Sequence, residues 1–216
     1  MKIGPTKGSA DPRDLIFALA HEIANLLAGS RLEAGLLDPG AGAAELQQSA
    51  DRISETSARA GSLLALLRPL LAPEAVAPLP IDALELLEGL RSGLDESSDG
   101  RVVIALKTAA LVPVVRLAPD SAHHLLLTAI WAGLEAASAD GVLRVFCRVD
   151  GERVGFVVED DGAAPDLDQA GELRGRPLTW AITRAVLASM NGRLFVTRDE
   201  PAGRTRVALD FPATAG

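Results

Sequence analysis

Cysteine is almost missing from this chain: Cys147 is the only one in 216 residues. A single thiol supports neither a disulfide framework nor a Cys-ligated zinc site, and a reducing cytoplasm is the expected compartment. Tyrosine is absent and aromatic residues make up only 3% of the chain, so the core must be built from aliphatic side chains. Basic residues are also in deficit, 21 Lys/Arg against 29 Asp/Glu, for a formal net charge of -8. Residues 11–72 carry 5 against 8, and residues 81–216 carry 14 against 20. Neither part offers the positive field that a phosphate backbone attracts, so nucleic acid is not an expected partner. The start, MKIGPTKGSADPRD, lacks the apolar core of a signal peptide. No apolar run approaches the ~20 residues of a membrane helix, so no membrane contact is expected.

Leucine and alanine dominate what is present, and their spacing divides the chain. Residues 1–10 read as a flexible start. Asp11-Pro12 resembles an N-cap followed by proline in the first turn, and Ile16, Leu19, Ile23 and Leu26 follow at spacings of 3, 4 and 3. That heptad seam predicts a helix to Leu37, stopped by Asp38-Pro39-Gly40. A second helix is expected from about Ala43, with Leu46, Ser49, Ile53, Thr56, Ala60, Leu63 and Leu67 along its seam, ended or kinked at Pro69. Residues 11–72 thus read as a helical hairpin and 73–80 as a proline-rich linker. Two such helices cannot bury all their apolar surface alone. Either a second copy completes a four-helix bundle as a homodimer, or the hairpin packs on its own C-terminal domain.

Beyond residue 80 the pattern predicts helix 81–94, strands 101–106 and 112–117, and a helix from Ala118-Pro119-Asp120 to about Ala137. A β-hairpin at 142–149 and 153–159 then turns at Asp150-Gly151. A loop over 160–176, a helix over 177–190 and strands 193–198 and 204–211 complete the chain. Strands grouped in pairs between helices imply a mixed sheet with helices on one face, an α/β sandwich covering 81–216.

His21 is the first candidate for chemistry. With Ile16 and Ile23 at heptad position a, His21 falls at f, away from the seam, and Asn25 lies one turn further along the same face. Ala18, Ala24 and Ala28 leave room for a partner to approach the imidazole. A neutral imidazole can attack phosphorus through one nitrogen, and the adjacent Glu22 can support the proton movement. His123 and His124, with no Cys-rich or acidic cluster beside them, read as ordinary helix residues, and Trp131 and Trp180 as core residues. No metal site is expected.

The segment LAHEIANLLAGS (19–30) resembles the phosphoacceptor box of sensor histidine kinases, His-Glu-x-x-Asn before an apolar pair, without the proline that often follows the asparagine. From residue 81 on, the element order resembles the Bergerat-type ATPase domain of the same proteins. LLLTAIWAGLEAA (125–137) stands where that family has its asparagine box. VEDDGAAPD (158–166) resembles the first glycine box, with Asp160 at the adenine-binding aspartate and Gly162 at its glycine. GRPLTWAITRAVLASMNGRLFV (175–196) resembles the second glycine box, beginning at Gly175. The resemblance covers about residues 11–212 and implies an N-terminal phosphoacceptor hairpin, dimeric as a four-helix bundle, followed by an α/β sandwich.

The departures define the expected function. Thr128 and Ala132 replace the asparagines that would ligate the ATP-bound Mg²⁺. Ala164 replaces a glycine of the first box, and Pro177 and Thr179 replace glycines whose N–H groups would meet the phosphates. Asp160, Gly162 and Gly175 are therefore read as a degenerate nucleotide site, with productive ATP binding not expected and no cofactor held by this chain. A phosphoacceptor hairpin joined to an inactive ATPase domain is similar to the dimeric histidine phosphotransferases of the ChpT type. That resemblance implies transfer of a phosphoryl group between receiver-domain aspartates through His21, with Glu22 and Asn25 beside it and Mg²⁺ brought by the receiver. With no sensory region ahead of residue 11, the signal is expected from another soluble molecule. A response-regulator phosphatase using Glu22 and Asn25, and a non-catalytic adaptor for receivers or kinases, are the alternatives.

Overall fold

The computed structural model describes residues 2–3, 11–37, 40–71, 79–94, 101–105, 114–117, 119–165 and 175–213. Residues 4–10, Asp38-Pro39, most of the expected linker (73–78) and most of the 160–176 loop (166–174) lie outside them.

Helix α1 (Pro12–Gly35) opens as expected: the Asp11 carboxylate accepts the Arg13 N–H at 2.8 Å and Pro12 occupies the first turn. It pairs with α2 (Ala43–Ala65). A break at Leu66 precedes the short α3 (Leu67–Leu71), which contains Pro69. Proline 69 has no N–H to give the Ala65 carbonyl, so the helix ends one turn ahead of it.

Within residues 1–10, read as a flexible start, strand β1 (Lys2–Ile3) is paired with the sheet through Lys2↔Thr197 and Ile3↔Val196. The linker reading of 73–80 is corrected at its end. Leu79–Asp82 forms strand β2, and the Asp82 carboxylate accepts the Leu84 N–H at 2.7 Å, so helix α4 (Ala83–Leu94) starts two residues later than expected. Strand β2 pairs antiparallel with β4 (Val114–Leu117) in a small two-stranded sheet, where Pro80 is tolerated on an edge.

The main sheet is mixed and six-stranded. Its other members are β3 (Val102–Ala105), β5 (Leu143–Asp150), β6 (Arg153–Asp160), β7 (Arg193–Asp199) and β8 (Arg204–Pro212), in the order β1-β7-β8-β6-β5-β3. Only β3 against β5 is parallel; the pairs β1–β7, β5–β6, β6–β8 and β7–β8 are antiparallel. The β5–β6 hairpin turns on Gly151, whose φ of +59° suits the first position of a two-residue turn. Helix α5 (Pro119–Ala136) and α6 (Gly175–Ser189) cover one face with α4, and Asn191, at φ 56°, closes α6 in the left-handed conformation common after helices.

One hydrophobic core runs through the whole assembly. Leu15 and Leu19 of α1 and Leu63 and Leu66 at the end of α2 belong to the same buried cluster as Leu125, Ile130, Phe156, Val186 and Leu209. The base of the helix pair therefore packs on its own α/β layer. Trp131 and Trp180 are buried. Among the described residues, α1 is the one helix long and apolar enough to cross a membrane by length and composition, with a mean hydropathy of 1.2 over its best window. That corrects the expectation that no segment would qualify, because Leu, Ile and Ala outweigh the charges it carries.

Candidate functional site

Only Leu15 and Leu19 of α1 are fully buried, while Ile16, Ile23 and Leu26 are half-buried. The buried face is thus turned toward Leu15, one position ahead of the expected seam, because α1 packs on α6 as well as on α2. His21 lies about 160° around the helix from Leu19 at 100° per residue, and it is exposed as expected. Asn25, one turn on, is exposed on the same side. Glu22 is half-buried and turned about 100° from His21. None of the three side chains makes a hydrogen bond or ion pair to a described residue.

Ala24 and Ala28 are exposed beside His21, while Ala18 packs against the core. Two large apolar side chains that the heptad reading missed lie on the exposed side of the same helix. Phe17, one turn before His21, is 78% exposed, and Leu32 further along is 65% exposed. The available signal was a scarce aromatic placed off the seam. Asn25 also borders a groove of about 340 Å³ between α1 and α2, with Leu26, Gly29 and Ser30 on one wall and Arg52, Ile53 and Thr56 on the other. At its end the Glu33 carboxylate accepts bonds from the Arg52 guanidinium and from Ser49 Oγ at 2.9 Å. These bonds, that from Arg52 first, hold the Glu33 carboxyl below its usual range.

In the α/β layer the degenerate-site residues are tied into the fold. Thr128 is buried and its hydroxyl donates back to the His124 carbonyl at 2.7 Å; Ala132 is buried next to the core. Asp160, at the end of β6, is 1% exposed, and its Oδ1 accepts the Gly162 N–H at 2.7 Å. A Cβ on Gly162 would stand 2.2 Å from the Ala136 carbonyl oxygen, so glycine is required there for packing on α5 whatever ligand is considered. The Gly162 carbonyl accepts from Thr205 Oγ1 at 2.6 Å and from Arg198, which also donates to Thr205 Oγ1 at 2.8 Å. Arg198 and Thr205 were not foreseen, since only the strand register brings them to Gly162. The next residue, Asp161, accepts the Ser138 N–H and hydroxyl, chiefly the hydroxyl, and its carboxyl is held below the usual range. Gly175 begins α6 and Pro177 sits in its first turn.

The helix pair meets the α/β layer where α2 touches α5. His124 Nδ1 lies 3.1 Å from Ser62 Oγ, the His123 and His124 rings stack edge-on with centroids 5.6 Å apart, and Arg59 pairs with Glu135. Burial pushes both imidazoles below their ordinary value. For His123 the neighbouring His124 adds to that effect, and Asp120 opposes it at both.

No family model matches the chain, and no curated protein matches it by sequence. Solved structures do. The fold is similar to that of the Acinetobacter baumannii histidine kinase AdeS, with a TM-score of 0.60 at 13% identity over 93% of this chain and 98% of that one. The histidine kinase ThkA, in complex with the response regulator protein TrrA, is similar with a TM-score of 0.61 at 16% identity, over 93% of this chain and 61% of that one. Full-length ShkA in complex with AMPPNP gives a TM-score of 0.58 at 18% identity over 96% of this chain, which spans 47% of ShkA. At these identities the likeness is one of fold: a helix-plus-mixed-sheet core of the histidine-kinase ATPase type.

Proposed function

We propose that this chain is a histidine phosphotransferase of a two-component phosphorelay, accepting a phosphoryl group on His21 from one receiver-domain aspartate and passing it to another. The observation that carries this reading is the exposure of His21 and Asn25 on the outer side of α1, within a His-Glu-x-x-Asn sequence, in a chain folded like histidine-kinase cores. The ThkA complex with TrrA supports a response regulator as the class of partner.

In the proposed step a neutral imidazole nitrogen of His21 attacks the phosphorus of an aspartyl phosphate. A P–N bond forms, the P–O bond to the aspartate breaks, and the carboxylate leaves with its electron pair; the proton of the other ring nitrogen passes to solvent or Glu22. The receiver supplies Mg²⁺ and the acidic pocket. Productive use of ATP is not part of this reading: Thr128 and Ala132 offer no carboxamide to a metal, and Pro177 has no N–H for a phosphate. The half-buried Ile23 and Ile53 and the exposed Leu27, Leu46 and Leu64 of the helix pair support dimerisation into a four-helix bundle. The whole protein is read as cytoplasmic.

Incubation with a radiolabelled phosphorylated receiver separates the readings. Label arriving on this protein supports transfer. Label appearing as inorganic phosphate supports the phosphatase alternative built on Glu22 and Asn25, and label remaining on the receiver supports a non-catalytic adaptor.

A further inference from the structure

The face of the main sheet turned away from the helices carries an ordered arrangement that the phosphotransfer reading does not use. Val157 and Ala208 are 2% and 5% exposed, yet neither belongs to the core cluster under the helices; they lie on the opposite face. The strand register sets them in a cross-strand row, Phe146–Val157–Ala208–Phe195, with both phenylalanines half-buried. A row of Arg144, Glu159, Arg206 and Thr197 runs on one side, and a row of Arg148, Gly155, Asp210 and Arg193 on the other. The apolar stripe spans four strands, about 14 Å, with each charged row about 7 Å from it.

The charges in these rows do not cancel. Glu159 is 4% exposed and receives Arg204 at 3.0 Å, Arg206 at 2.5 Å and, loosely, Arg144 at 3.9 Å. Three guanidiniums reach this carboxylate, Arg204 from the next row, where it stands opposite Asp199. In the second row, Arg148 crosses Gly155 to reach Asp210 at only 3.5 Å, and a Cβ on Gly155 would stand 2.3 Å from Asp210 Oδ1. Asp210 is 7% exposed, and its Oδ1 has no hydrogen-bond partner among the described residues. Arg193 is exposed, without a described partner. A chain of net charge -8 thus gathers surplus arginines on one sheet face, around an apolar stripe and a buried carboxylate oxygen that lacks a donor.

We infer that this face docks an acidic amphipathic segment of a partner protein, aliphatic along its centre, with carboxylates on both flanks and one donor for Asp210. The flanking acids match the two arginine rows and the aliphatic centre covers the Phe146–Phe195 stripe. A second copy of the chain does not fit, because it would set arginine against arginine. A polyanion is disfavoured by Glu159, Asp210 and the net charge of the chain. The surface is separate from His21 and stands whether or not phosphotransfer does.

The test is fluorescence anisotropy on the full chain, with a labelled helical peptide that carries a leucine stripe flanked by glutamates. Saturable binding is expected, weakened about tenfold or more in the same peptide with glutamines for glutamates, and weakened about tenfold by Arg193→Gln and by Arg144→Gln. Arg193 has no described partner and Arg144 only the loose contact, and glutamine sets no like charge against Asp210 or Glu159, so both variants should melt like the parent. His21→Ala should leave binding unchanged. The inference is overturned by equal affinity for the glutamine peptide, by variants that melt normally and bind normally, or by phosphatidylglycerol vesicles or single-stranded oligonucleotide binding more tightly than the acidic peptide.

Discussion

Replacing Leu19 by alanine should destabilise the whole molecule, not only the helix on which it lies. Leu19 is 0% exposed and belongs to the same cluster as residues of α5, α6 and the sheet. Truncating a fully buried leucine removes its transfer free energy and leaves a partly unrelaxed cavity, together about 3 kcal/mol. For a chain of this size, each kcal/mol moves the melting temperature by roughly 2–4 °C, so a fall of about 6–12 °C is expected. Leu32→Ala on the same helix, where the side chain is 65% exposed, should change stability by less than about 0.5 kcal/mol. Differential scanning calorimetry is the assay, read for the number of transitions as well as their midpoints. If helix pair and α/β layer share one core, Leu19→Ala lowers a single cooperative transition. Two transitions, of which only the first moves, would refute the shared core and make the helix pair an independent arm.

Dimerisation is tested by light scattering on Ile23→Glu, which should convert a dimer to monomer or unfold the helix pair, and on Ala28→Glu beside His21, which should leave the dimer intact. A monomeric parent at tens of micromolar would remove the four-helix bundle. Stability should fall with acid through His123 and His124 as pH drops from about 7 through the ordinary histidine range. Their folded values are depressed by burial, so the unfolded chain takes up protons first as pH drops below about 6.5, and the loss levels off once the folded rings protonate. Urea unfolding across that range should show the slope in the parent and lose most of it in the His123→Gln/His124→Gln double variant; Glu33 and Asp161 act only lower, in the carboxylate range. Gly162→Ala should cost about 2–3 kcal/mol through its clash with the Ala136 backbone, whereas Gly89→Ala, with open space on α4, should stabilise by about 0.5–1 kcal/mol. Thermal melts of the two variants moving in the same direction would refute the packing account of Gly162.

Periodicity and turn chemistry were enough to read the long helices, the β5–β6 hairpin and the outward position of His21, because each is written in local spacing. What they missed depends on a third partner. Leu15 and Leu66 lie outside a two-helix heptad, and only the α/β layer beneath explains their burial. Leu79 and Pro80 looked like linker because prolines dominate their surroundings, and Ile81 and Asp82 like the start of a helix, yet an edge strand tolerates Pro80 once β4 is beside it. In the degenerate nucleotide region Asp160 and Gly162 could be singled out from the motif. Arg198 and Thr205 come to Gly162 only through the β6–β8–β7 register, and that register together with the β5–β6 pairing assembles the arginine rows from three separate strands.

The central claim is that His21 carries the phosphoryl group, and the most direct measurement is the chemistry of the labelled residue. The parent is incubated with a phosphorylated receiver, and in parallel with Mg-ATP as sole donor, then tested for acid and base stability and mapped by mass spectrometry. The account predicts an acid-labile, base-stable label on His21 from the receiver alone, lost in a His21→Ala variant of unchanged helicity. A label that survives that substitution, or one acquired from Mg-ATP without a receiver, would contradict it.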